Sequence, residues 1–484
     1  DKYKSMLQFV YRDLMEYVNV TRVEEIEVYC FLEKYGRGSS YNTIRRHLNV
    51  LFNEAERLGM QENPMQAIKS KKFDKKNGDL KHDSGGFFSI KGLKVETNWG
   101  NVTSWTQPII HQPEIGILGI ITQKINGILY FLLQAKAEPG NINTYQLSPT
   151  VQATRSNYLQ IHGGKPTQYL DYFIGDKKSK VLIDQLQSEQ GARFYRKRNR
   201  NIIVRIKNND EINLGKNYRW FTLGQINKLC QIDNTINMDT RSVISSISFE
   251  PEKLLSKKPP IYDDLLQSIS DFKLSSNNNS KYFSKLMISS HPNSKTLNTL
   301  DEIYIHIAKK KFECELNVSL IPLNKVDVWT QNTFEIYHPE RKYFSIIGLH
   351  IEAMNREVDS WDQPIVKQDT SGIVGLIIKE IDGVFHFLIQ LKSESGVMDL
   401  LELAPTVQCI TSNYNQNNMP LYVNELLKSD TSEKIADVYQ SEEGGRFYKE
   451  SNRNIILLNN DLADRLNNNF IWITLFQLKQ LIKI

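Results

Sequence analysis

The sequence predicts an α+β fold made of two tandem copies of one mixed-sheet domain, preceded by a small helical N-terminal segment. Three observations support this prediction. The stretch QLSPTVQATRSNY, which begins at Gln146, returns as ELAPTVQCITSNY at Glu402, 256 residues later (402 minus 146). Apolar runs that flank an Asn-Gly pair in the first copy flank an Asp-Gly pair in the second. Each copy also ends in the pattern TLxQxxxL, which is typical of a short helix.

The repeat extends through several blocks that occur in the same order. FFSIKGLKVET from Phe87 matches YFSIIGLHIEA from Tyr343, again 256 residues apart (343 minus 87). QSEQGARFYRKRNRNII from Gln187 matches QSEEGGRFYKESNRNII from Gln440, 253 residues apart (440 minus 187). The offset changes only between matched blocks, where loops tolerate deletions. A unit of about 150 residues is therefore duplicated, which is an ordinary domain size.

The clearest secondary-structure signal is a β-hairpin in each copy. In the first copy, GILGIITQ and ILYFLLQAK are rich in β-branched and apolar residues and are separated by a short turn. Asn-Gly and Asp-Gly both favour a type I′ turn, because both of its central residues have positive φ. Strands dominate the prediction, with a few helices, around a mixed or antiparallel sheet.

We divide the chain into four parts. The first repeat covers residues 77–232 and the second covers residues 301–484. Residues 233–300 form a polar connector in which stretches such as IYDDLLQSISDF favour one or two helices. Residues 1–76 belong to neither copy, and the first copy keeps only a shortened lead-in, LKHDSGGFFS.

The N-terminal segment reads as an amphipathic helical run that ends at an Asn-Pro turn. Residues 3–72 resemble the core-binding helical domain of phage-type tyrosine recombinases, which implies a module that contacts DNA. No recombinase catalytic domain follows, because the chain lacks the Arg, His-x-x-Arg and Tyr set in a suitable context. The alternative is an unrelated helical leader or a spurious fusion.

Composition favours an ordinary globular protein. The chain is 40% hydrophobic and 24% charged, and its net charge of +5 suits anionic ligands without reaching a nucleic-acid signature. The four cysteines have no CxxC spacing, so we expect buried thiols in a reducing cytosol. No apolar run approaches the roughly 20 residues that cross a bilayer, and no signal-peptide pattern is present. We therefore expect a soluble, cytoplasmic protein.

Sequence motifs for the common cofactors are missing. The chain has no GxxxxGK[ST] or GxGxxG phosphate loop, no HExxH zinc motif and no GxSxG nucleophile elbow. We therefore expect any catalysis to use side chains alone, with no cofactor and no metal.

Polar side chains alternate along the second strand of each hairpin. Gln134, Lys136 and Glu138 share one face of the strand in the first copy, and Gln390 and Lys392 do so in the second. Such a ladder lines a polar pocket or, more commonly, a solvated strand end. Its presence in both copies favours the pocket.

Two further segments carry groups suited to a nucleotide sugar. PTVQATRSNY supplies amides, hydroxyls and an arginine, and SEQGARFYRKRNRN supplies acids, arginines and a tyrosine. Hydroxyls and amides bind sugar oxygens, arginine binds a diphosphate with two hydrogen bonds, and aromatic rings stack on a base. A nucleic-acid surface would cluster its basic residues, whereas glutamates are interleaved here.

These blocks resemble the NDP-hexose 2,3-dehydratases, which act on dTDP-4-keto-6-deoxyglucose in deoxysugar biosynthesis. The resemblance covers residues 80–484 and rests on SWTQPIIHQPEIGILG, QAKAEPGN, QLSPTVQATRSNY, QSEQGARF and NMDTRSV, with ELAPTVQC and QSEEGGRFY in the second copy. It implies a duplicated subunit with two Nudix-like halves, a homodimer and no cofactor. The metal-binding Nudix box is absent from the sequence, which argues against metal-dependent diphosphate hydrolysis.

The implied reaction removes water across C2 and C3 of the sugar. The 4-keto group acidifies the C3 hydrogen, so a base forms an enolate, and loss of the C2 hydroxyl gives an enol that becomes a 3,4-diketo sugar. Donors near the C4 oxygen stabilise the developing charge. We expect the working site in the first copy, which keeps Arg155 where the second has Thr411. The second copy would hold a degenerate nucleotide-sugar pocket.

The candidate site residues follow from these motifs. We expect Glu138 or Glu189 as the base and Tyr158 as the acid or oxyanion donor. Lys136 would bind the diphosphate together with Arg155 and Arg193. The other substrate-binding candidates are Trp105, Gln107, Gln134, Gln152, Ser156, Asn157, Tyr195 and Arg241. Candidates for the second pocket are Trp361, Gln390, Lys392, Gln408, Asn413, Tyr414 and Arg446.

Two other functions stay open on the sequence alone. A non-catalytic nucleotide-sugar-binding protein would have the same pockets without their chemistry. A DNA-associated protein would act through residues 1–76, since nucleic-acid binding is not expected elsewhere in the chain. Loss of water from dTDP-4-keto-6-deoxyglucose distinguishes an enzyme from a binding protein. Salt-dependent DNA binding by residues 1–76 is what the second function requires.

Overall fold

The computed structural model describes residues 58–63, 71–73, 76–161, 163, 165–247, 282, 285–286, 288–353, 358–428, 433–463 and 469–482. Over these residues the chain is α+β and mostly sheet, as predicted. Within the same ranges, no helix has both the length and the apolar character needed to cross a membrane.

Among the described residues up to 247, which we call the first half, most elements are strands. They are β1 (Leu58–Asn63), β2 (Lys71–Phe73), β3 (Leu80–His82), β4 (Ser89–Thr97), β5 (Ser104–His111), β6 (Gly116–Ile125), β7 (Ile128–Ala137), β8 (Tyr145–Pro149), β9 (Val151–Ala153), β10 (Lys180–Ser188), β11 (Arg198–Arg205) and β12 (Tyr218–Thr222). The helices are α1 (Arg155–Tyr158), α2 (Asp171–Ile174), α3 (Leu223–Leu229) and α4 (Met238–Ser245).

The second half repeats this series of elements. Its strands are β13 (Leu316–Ile321), β14 (Thr330–Gln331), β15 (Glu335–Tyr337), β16 (Ser345–Ala353), β17 (Ser360–Lys367), β18 (Ile373–Ile381), β19 (Val384–Lys392), β20 (Glu402–Ala404), β21 (Val407–Cys409), β22 (Lys434–Ser441), β23 (Phe447–Tyr448), β24 (Ser451–Leu458) and β25 (Phe470–Thr474). The helices are α5 (Leu300–Glu313), α6 (Val423–Lys428) and α7 (Leu475–Ile482), with 3-10 turns at Leu323–Lys325 and Thr411–Asn413.

A seven-stranded mixed sheet forms the body of each half. Its order is β10-β11-β6-β7-β12 in the first half, with β8 beside β7 and β9 beside β6. The second half has the order β22-β24-β18-β19-β25, with β20 beside β19 and β21 beside β18. In both sheets one central pair is parallel, β6 with β11 and β18 with β24. The same topology therefore occurs twice.

The predicted hairpins and terminal helices are confirmed. Asn126 and Gly127 have φ of 51° and 83° between β6 and β7, and Asp382 and Gly383 have φ of 50° and 80° between β18 and β19. Positive φ at both central residues is the condition of a type I′ turn. Both TLxQxxxL segments form helices, α3 and α7.

The two halves exchange their first strands. The strand β1 precedes the first repeat, but it pairs antiparallel with β16 of the second half, from Leu58 opposite Ala353 to Asn63 opposite Gly348. The strand β13 lies near the start of the second repeat, ahead of its first matched block, and pairs in the same sense with β4 of the first half, from Leu316 opposite Thr97. Each of these smaller sheets is thus completed by a strand that leads into the opposite half.

This exchange changes the reading of the N-terminal segment. The helical prediction for residues 3–72 is wrong at 58–63 and 71–72, which belong to the strands β1 and β2, and its remaining residues lie outside those described. Local sequence misleads here because the partner of β1 lies almost 300 residues further along the chain. The lead-in of the first copy is also more complete than the sequence predicts. The strand β1 pairs with β16 in the same way that β13 pairs with β4, so β1 and β13 are equivalent strands of the two repeats.

The connector predicted at residues 233–300 is described only in part. The helix α4 packs Val243 into the main core of the first half, so residues up to 247 accompany the first repeat. The stretch IYDDLLQSISDF lies outside the described residues.

The halves also share a hydrophobic core. Phe194 and Phe447 occupy equivalent positions in the two repeats, both are at most 1% exposed, and their rings meet edge to face at 5.9 Å. Phe88 and Leu80 of the first half pack in the same cluster as Phe344 of the second. Burial of this shared apolar surface favours association of the two halves, because the hydrophobic effect grows with the area removed from water.

Candidate active site

A buried carboxylate in the first half is held by two donors. Glu138 follows directly after β7 and is only 4% exposed. Its Oε1 accepts from the Lys136 ammonium at 3.0 Å and from the Gln152 amide at 3.0 Å. Among the described residues its Oε2 is buried and has no hydrogen-bond partner. Since a buried acceptor normally finds a donor, this oxygen is suited to meet a ligand.

The orientation of Gln152 is fixed from behind. Asn237 donates from its amide nitrogen to Ser148 Oγ at 2.9 Å and to Gln152 Oε1 at 3.3 Å. The Gln152 nitrogen therefore faces Glu138. Asn237 is itself fixed as the N-cap of α4, where its side-chain oxygen accepts from Thr240 N at 2.8 Å.

A second carboxyl group, Glu189, lies just after β10. Asn199 on β11 donates a hydrogen bond to it, and Lys197 lies near it. Burial, together with the negative charge of Glu443, raises the pKa of Glu189 from 4.5 to about 7. Burial lowers the pKa of Lys197 from 10.5 to about 8. Glu189 thus can carry a proton near neutral pH.

Asp239, in the first turn of α4, is a third carboxyl group and was not predicted. It is 3% exposed, and burial, with the charges of Glu443, Glu189 and Glu138, raises its pKa well above 3.8. Within the motif NMDTRSV, the residue predicted to bind the substrate is Arg241 and not Asp239. An Asp in the first turn of a helix usually faces solvent near the helix dipole, so the sequence gives no sign of this burial.

A loop of the second half closes over this group of residues. Gly140 N donates to Gly444 O at 2.7 Å, and Lys449 N donates to Gly140 O at 2.8 Å. The neighbouring Arg446 lies 4.2 Å from the Phe88 ring and donates to Gln112 Oε1 at 3.3 Å. We call the assembled group the first cluster, defined as Lys136, Glu138, Gln152, Glu189, Asp239 and Glu443.

In the same way, a loop of the first half contributes Arg193 to a group of residues in the second half. We call this group the second cluster, defined as Arg193, Lys392, Glu394, Gln408, Glu442 and Glu450. Lys392 contacts Glu394 Oε1 at 2.8 Å and donates to Gln408 Oε1 at 3.2 Å. Arg193, from the first half, lies 4.3 Å from the Phe344 ring and donates to Gln368 Oε1 at 3.1 Å.

Each of these two arginines therefore contacts the half of the chain opposite to the one expected. Arg193 contacts the second half and Arg446 contacts the first, and the motif containing each arginine crosses the shared core. Arg241 also joins the halves, because it donates to Ile236 O at 2.6 Å and to Ser441 O at 2.7 Å.

Several predicted binding residues make contacts within the scaffold. Trp105 donates to Gln107 Oε1 at 2.8 Å, and Gln107 donates to Ala192 O at 3.1 Å, so this pair holds the loop before Arg193. Trp361 donates to Gln363 in the same way, at 2.9 Å. Gln134 donates to Pro149 O at 3.0 Å. The partly buried Tyr195 packs beside Trp105, and Gln390 pairs in the ladder between β19 and its neighbours.

Most predicted site residues of α1 make contacts within the scaffold, and one is exposed to solvent. Ser156 is buried and hydrogen-bonds to Glu114, and Asn157 accepts from Thr154 N at 3.1 Å as part of a capping box. Tyr158 packs against an apolar cluster that contains Phe173. Arg155 is exposed.

The corresponding segment of the second half differs in detail. Asn413 accepts from Tyr343 N at 2.9 Å. Tyr414 is 40% exposed, and the burial of the rest of its side chain raises its pKa. In the described ranges, the clusters above included, His, Cys, Asp and Glu form no group of three or more placed to hold a metal ion.

Comparison with known proteins identifies the family. The family model for NDP-hexose 2,3-dehydratase matches residues 48–247 and 300–484. The chain belongs to this family. A dTDP-4-dehydro-6-deoxy-alpha-D-glucopyranose 2,3-dehydratase of Saccharopolyspora spinosa is 41% identical over 428 residues, which cover 87% of this chain and 83% of the relative.

Two further relatives carry the same name. The protein of Streptomyces violaceoruber is 35% identical over 431 residues, 88% of this chain and 89% of the relative. That of Amycolatopsis orientalis is 36% identical over 420 residues, 84% of this chain and 79% of the relative. These matches confirm the resemblance drawn from the repeated motifs.

The match to NDP-hexose 2,3-dehydratase also bears on the chain's divisions. Its first block begins at residue 48 and ends at residue 247. The matched block therefore includes β1 and β2, which lie in the predicted leader, residues 1–76. It also includes α4 with Asp239, which lie in the predicted connector, residues 233–300.

Proposed function

We propose that this chain removes water across C2 and C3 of a dTDP-linked 4-keto-6-deoxyhexose, and that the first cluster is its active site. The observation that carries this proposal is the buried Glu138 carboxylate, held by Lys136 and Gln152 with one oxygen unpartnered among the described residues. The shared family and the substrate named for its relatives supply the substrate class.

Glu138 is the proposed base. The Lys136 ammonium and the Gln152 amide both bind its Oε1, which leaves Oε2 to take the C3 proton of the substrate. The electron pair of the C3–H bond moves toward the C4 oxygen and forms an enolate. The Lys136 ammonium, near the same point, is a positive charge that opposes the growing negative charge.

Glu189 is the proposed acid. A raised pKa of about 7 lets it hold a proton at neutral pH and release it to the departing C2 hydroxyl. The hydroxyl leaves as water, the enolate electrons form the C2–C3 double bond, and the resulting enol tautomerises to the 3,4-diketo product. Tyr158 is a weaker candidate because it packs among apolar side chains. Arg446 is better placed than Arg193 to meet a substrate phosphate here.

The second half supports a separate proposal, a nucleotide-sugar pocket without the chemistry. A pocket there is lined by Arg341, Lys342 and Tyr343 with Ser412 and Asn413. Arg341 pairs with Glu335 and Lys342 pairs with Glu340, so a diphosphate would have to replace these carboxylates, while the tyrosine ring suits a base. In the second cluster, Glu450 stands at the position that Lys197 has in the first repeat, so the local charges differ between the halves.

The test uses purified protein and dTDP-4-keto-6-deoxyglucose, with loss of water followed by mass spectrometry. Glu138→Gln keeps the size of the side chain and removes the base, so we expect turnover to fall by at least about 100-fold. The matched variant Glu394→Gln makes the same change in the second half and should lower turnover far less. The opposite ranking would move the active site to the second half.

The same assay decides between enzyme and binding protein. Wild-type protein that binds the nucleotide sugar but releases no water would support the non-catalytic alternative. Equal turnover of wild-type, Glu138→Gln and Glu189→Gln protein would show that the base lies elsewhere.

A further inference from the structure

The loop of the second half that covers the first cluster leaves a space beside Glu138. A β-carbon on Gly445 would stand 3.0 Å from Glu443 Oε1 and 3.8 Å from Glu138 Oε1, and its three nearest atoms all belong to these two side chains. The two oxygens therefore lie at most 6.8 Å apart, the sum of the two distances. Two carboxyl groups from different halves of the chain thus face one small space.

The backbone holds this space in place against the first half. A β-carbon on Gly444 would stand 2.9 Å from Glu138 Cβ, and Gly140 N donates to Gly444 O at 2.7 Å. Glu443 and Gly445 are both partly exposed, whereas Glu138 is 4% exposed. The space is therefore where the buried Glu138 carboxylate meets the surface, and a ligand that enters here contacts both carboxyl groups.

The reciprocal loop fills the equivalent space. Ala192 stands in QSEQGARF where QSEEGGRF has Gly445, so a β-carbon is present there. Gln190 stands where the other loop has its second glutamate, and it donates to Glu442 Oε2. Glu394 accepts a hydrogen bond from the backbone of Ala192. The second cluster is thus closed by its own contacts at the point where the first cluster is open.

We propose that Glu443 is a catalytic residue supplied by the second half, and that its carboxyl group donates a hydrogen bond to the C4 oxygen of the sugar in the space beside Gly445. The inference rests on the proposed function and deepens it, because both halves then build the active site. Glu138 remains the base and Glu189 remains the acid.

The separation of the two carboxyl groups fits this role. Glu138 takes the proton of C3, and C3 is bonded to C4, whose oxygen gains the negative charge. Two hydrogen-bond reaches of about 3 Å, one to the C3 proton and one to the C4 oxygen, bridge carboxyl groups at about this separation. The proton of Glu443 stays on its carboxyl group, because the hydrogen bond strengthens as the enolate forms and weakens when the C4 carbonyl returns.

The surroundings give the two carboxyl groups different protonation states. The Lys136 ammonium and the Gln152 amide both donate to Glu138 Oε1, which suits a carboxylate. Within the described ranges, the Glu443 oxygens accept no hydrogen bond, and burial raises the pKa of Glu443. One carboxyl group can then act as base while its neighbour acts as donor. The charged groups that face Glu443 are Arg446, Glu138, Lys197, Lys136, Glu189 and Asp239.

The experiment compares kcat and KM of wild type with two variants of Glu443. Glu443→Ala removes the donor, so kcat should fall by about 100-fold. Glu443→Gln keeps a neutral donor of the same size, so kcat should stay within about tenfold of wild type. If Glu443→Gln is as inactive as Glu443→Ala, or if both keep the wild-type kcat, the assigned role is wrong. Gln190→Ala makes the matched change in the reciprocal loop and should leave kcat within about threefold of wild type.

Gly445→Ala tests the same space from the backbone, and it decides the matter if Glu443→Ala does not fold. The new β-carbon occupies the position proposed for the C4 oxygen, so kcat/KM should fall by at least about tenfold. Tm should stay within about 2 °C of wild type, since Ala192 carries this β-carbon in the reciprocal loop. A kcat/KM equal to that of wild type would overturn the placement of the substrate beside Gly445.

A measurement without turnover separates this inference from the proposed function. In Glu138→Gln protein the substrate stays intact, and the infrared band of its C4 carbonyl, identified by an isotope label at C4, reports the hydrogen bond to the oxygen. Adding Glu443→Ala should move this band to higher frequency. If wild type releases no water but the band moves, the function fails and the contact stands. If wild type releases water and the band does not move, the contact is wrong. A protein that does not bind the nucleotide sugar fails both.

Discussion

Gly140→Ala should push apart the two halves of the chain where they meet beside Glu138. Gly140 meets the second half so closely that a β-carbon would stand 1.6 Å from Phe447 O and 2.8 Å from Gly444 O. Non-bonded heavy atoms rest at about 3.5 Å or more, so the backbones must part by about 2 Å. That movement breaks the hydrogen bonds from Gly140 N to Gly444 O (2.7 Å) and from Lys449 N to Gly140 O (2.8 Å). Two lost hydrogen bonds at about 1 kcal/mol each, with overpacking of about 1–3 kcal/mol, give about 3–5 kcal/mol in the free energy of unfolding.

The measurement is thermal unfolding, with turnover followed in parallel. At about 2.1 cal/mol/K per residue, the unfolding entropy of the chain is about 1 kcal/mol/K, so a loss of this size should lower Tm by about 3–5 °C. Gly445→Ala is the control in the same interface, since the nearest atoms to its β-carbon would be side-chain ends, Glu443 Oε1 at 3.0 Å and Glu138 Oε1 at 3.8 Å, and not backbone. We expect its Tm to stay within about 2 °C of wild type. Equal Tm values for Gly140→Ala and wild type would refute the close approach of the two backbones.

Two further predictions follow from the same features. Gly396→Ala should destabilise the protein about as much as Gly140→Ala, because its β-carbon would stand 1.8 Å from Phe194 O in the reciprocal contact; this too is read from Tm, and an unchanged value would contradict the symmetry. Glu189 keeps its proton in the folded state between its ordinary pKa of 4.5 and about 7, so its stabilising contribution is complete below pH 4.5 and is lost as the pH rises through 7. Glu189→Gln should therefore flatten the fall in unfolding free energy across this window, measured by urea titration at several pH values, and an unchanged slope would show that Glu189 does not titrate there.

The duplication and the hairpins could be predicted from the sequence because their causes are local. An Asn-Gly or Asp-Gly pair sets the turn by itself, and Thr222 with Gln225 caps α3 within four residues. The pairing of Lys136 with Glu138 also lies within one short stretch of chain. These features depend on neighbours that stand side by side in the sequence.

The exchange between the halves could not be predicted in this way. Two equivalent loops have the same spacing in the sequence whether each one packs on its own half or on the other half. The spacing therefore does not show which half Arg193 or Arg446 contacts. The local sequence predicts helix at β1, because the strand that makes it a strand, β16, is distant in the chain. Asp239 was missed because its burial depends on groups from several elements of both halves.

The crossing of β1 and β13 also bears on the origin of the molecule. A single-copy ancestor that paired its leading strand with a second molecule would have formed a twofold assembly by domain swapping. Fusion of two such genes would leave each leading strand on its partner's sheet, as β1 and β13 are now. In one fused gene, equivalent positions of the two repeats, such as Gln190 in QSEQGARF and Glu443 in QSEEGGRF, can then become different. The identical subunits of a symmetric pair cannot differ in this way.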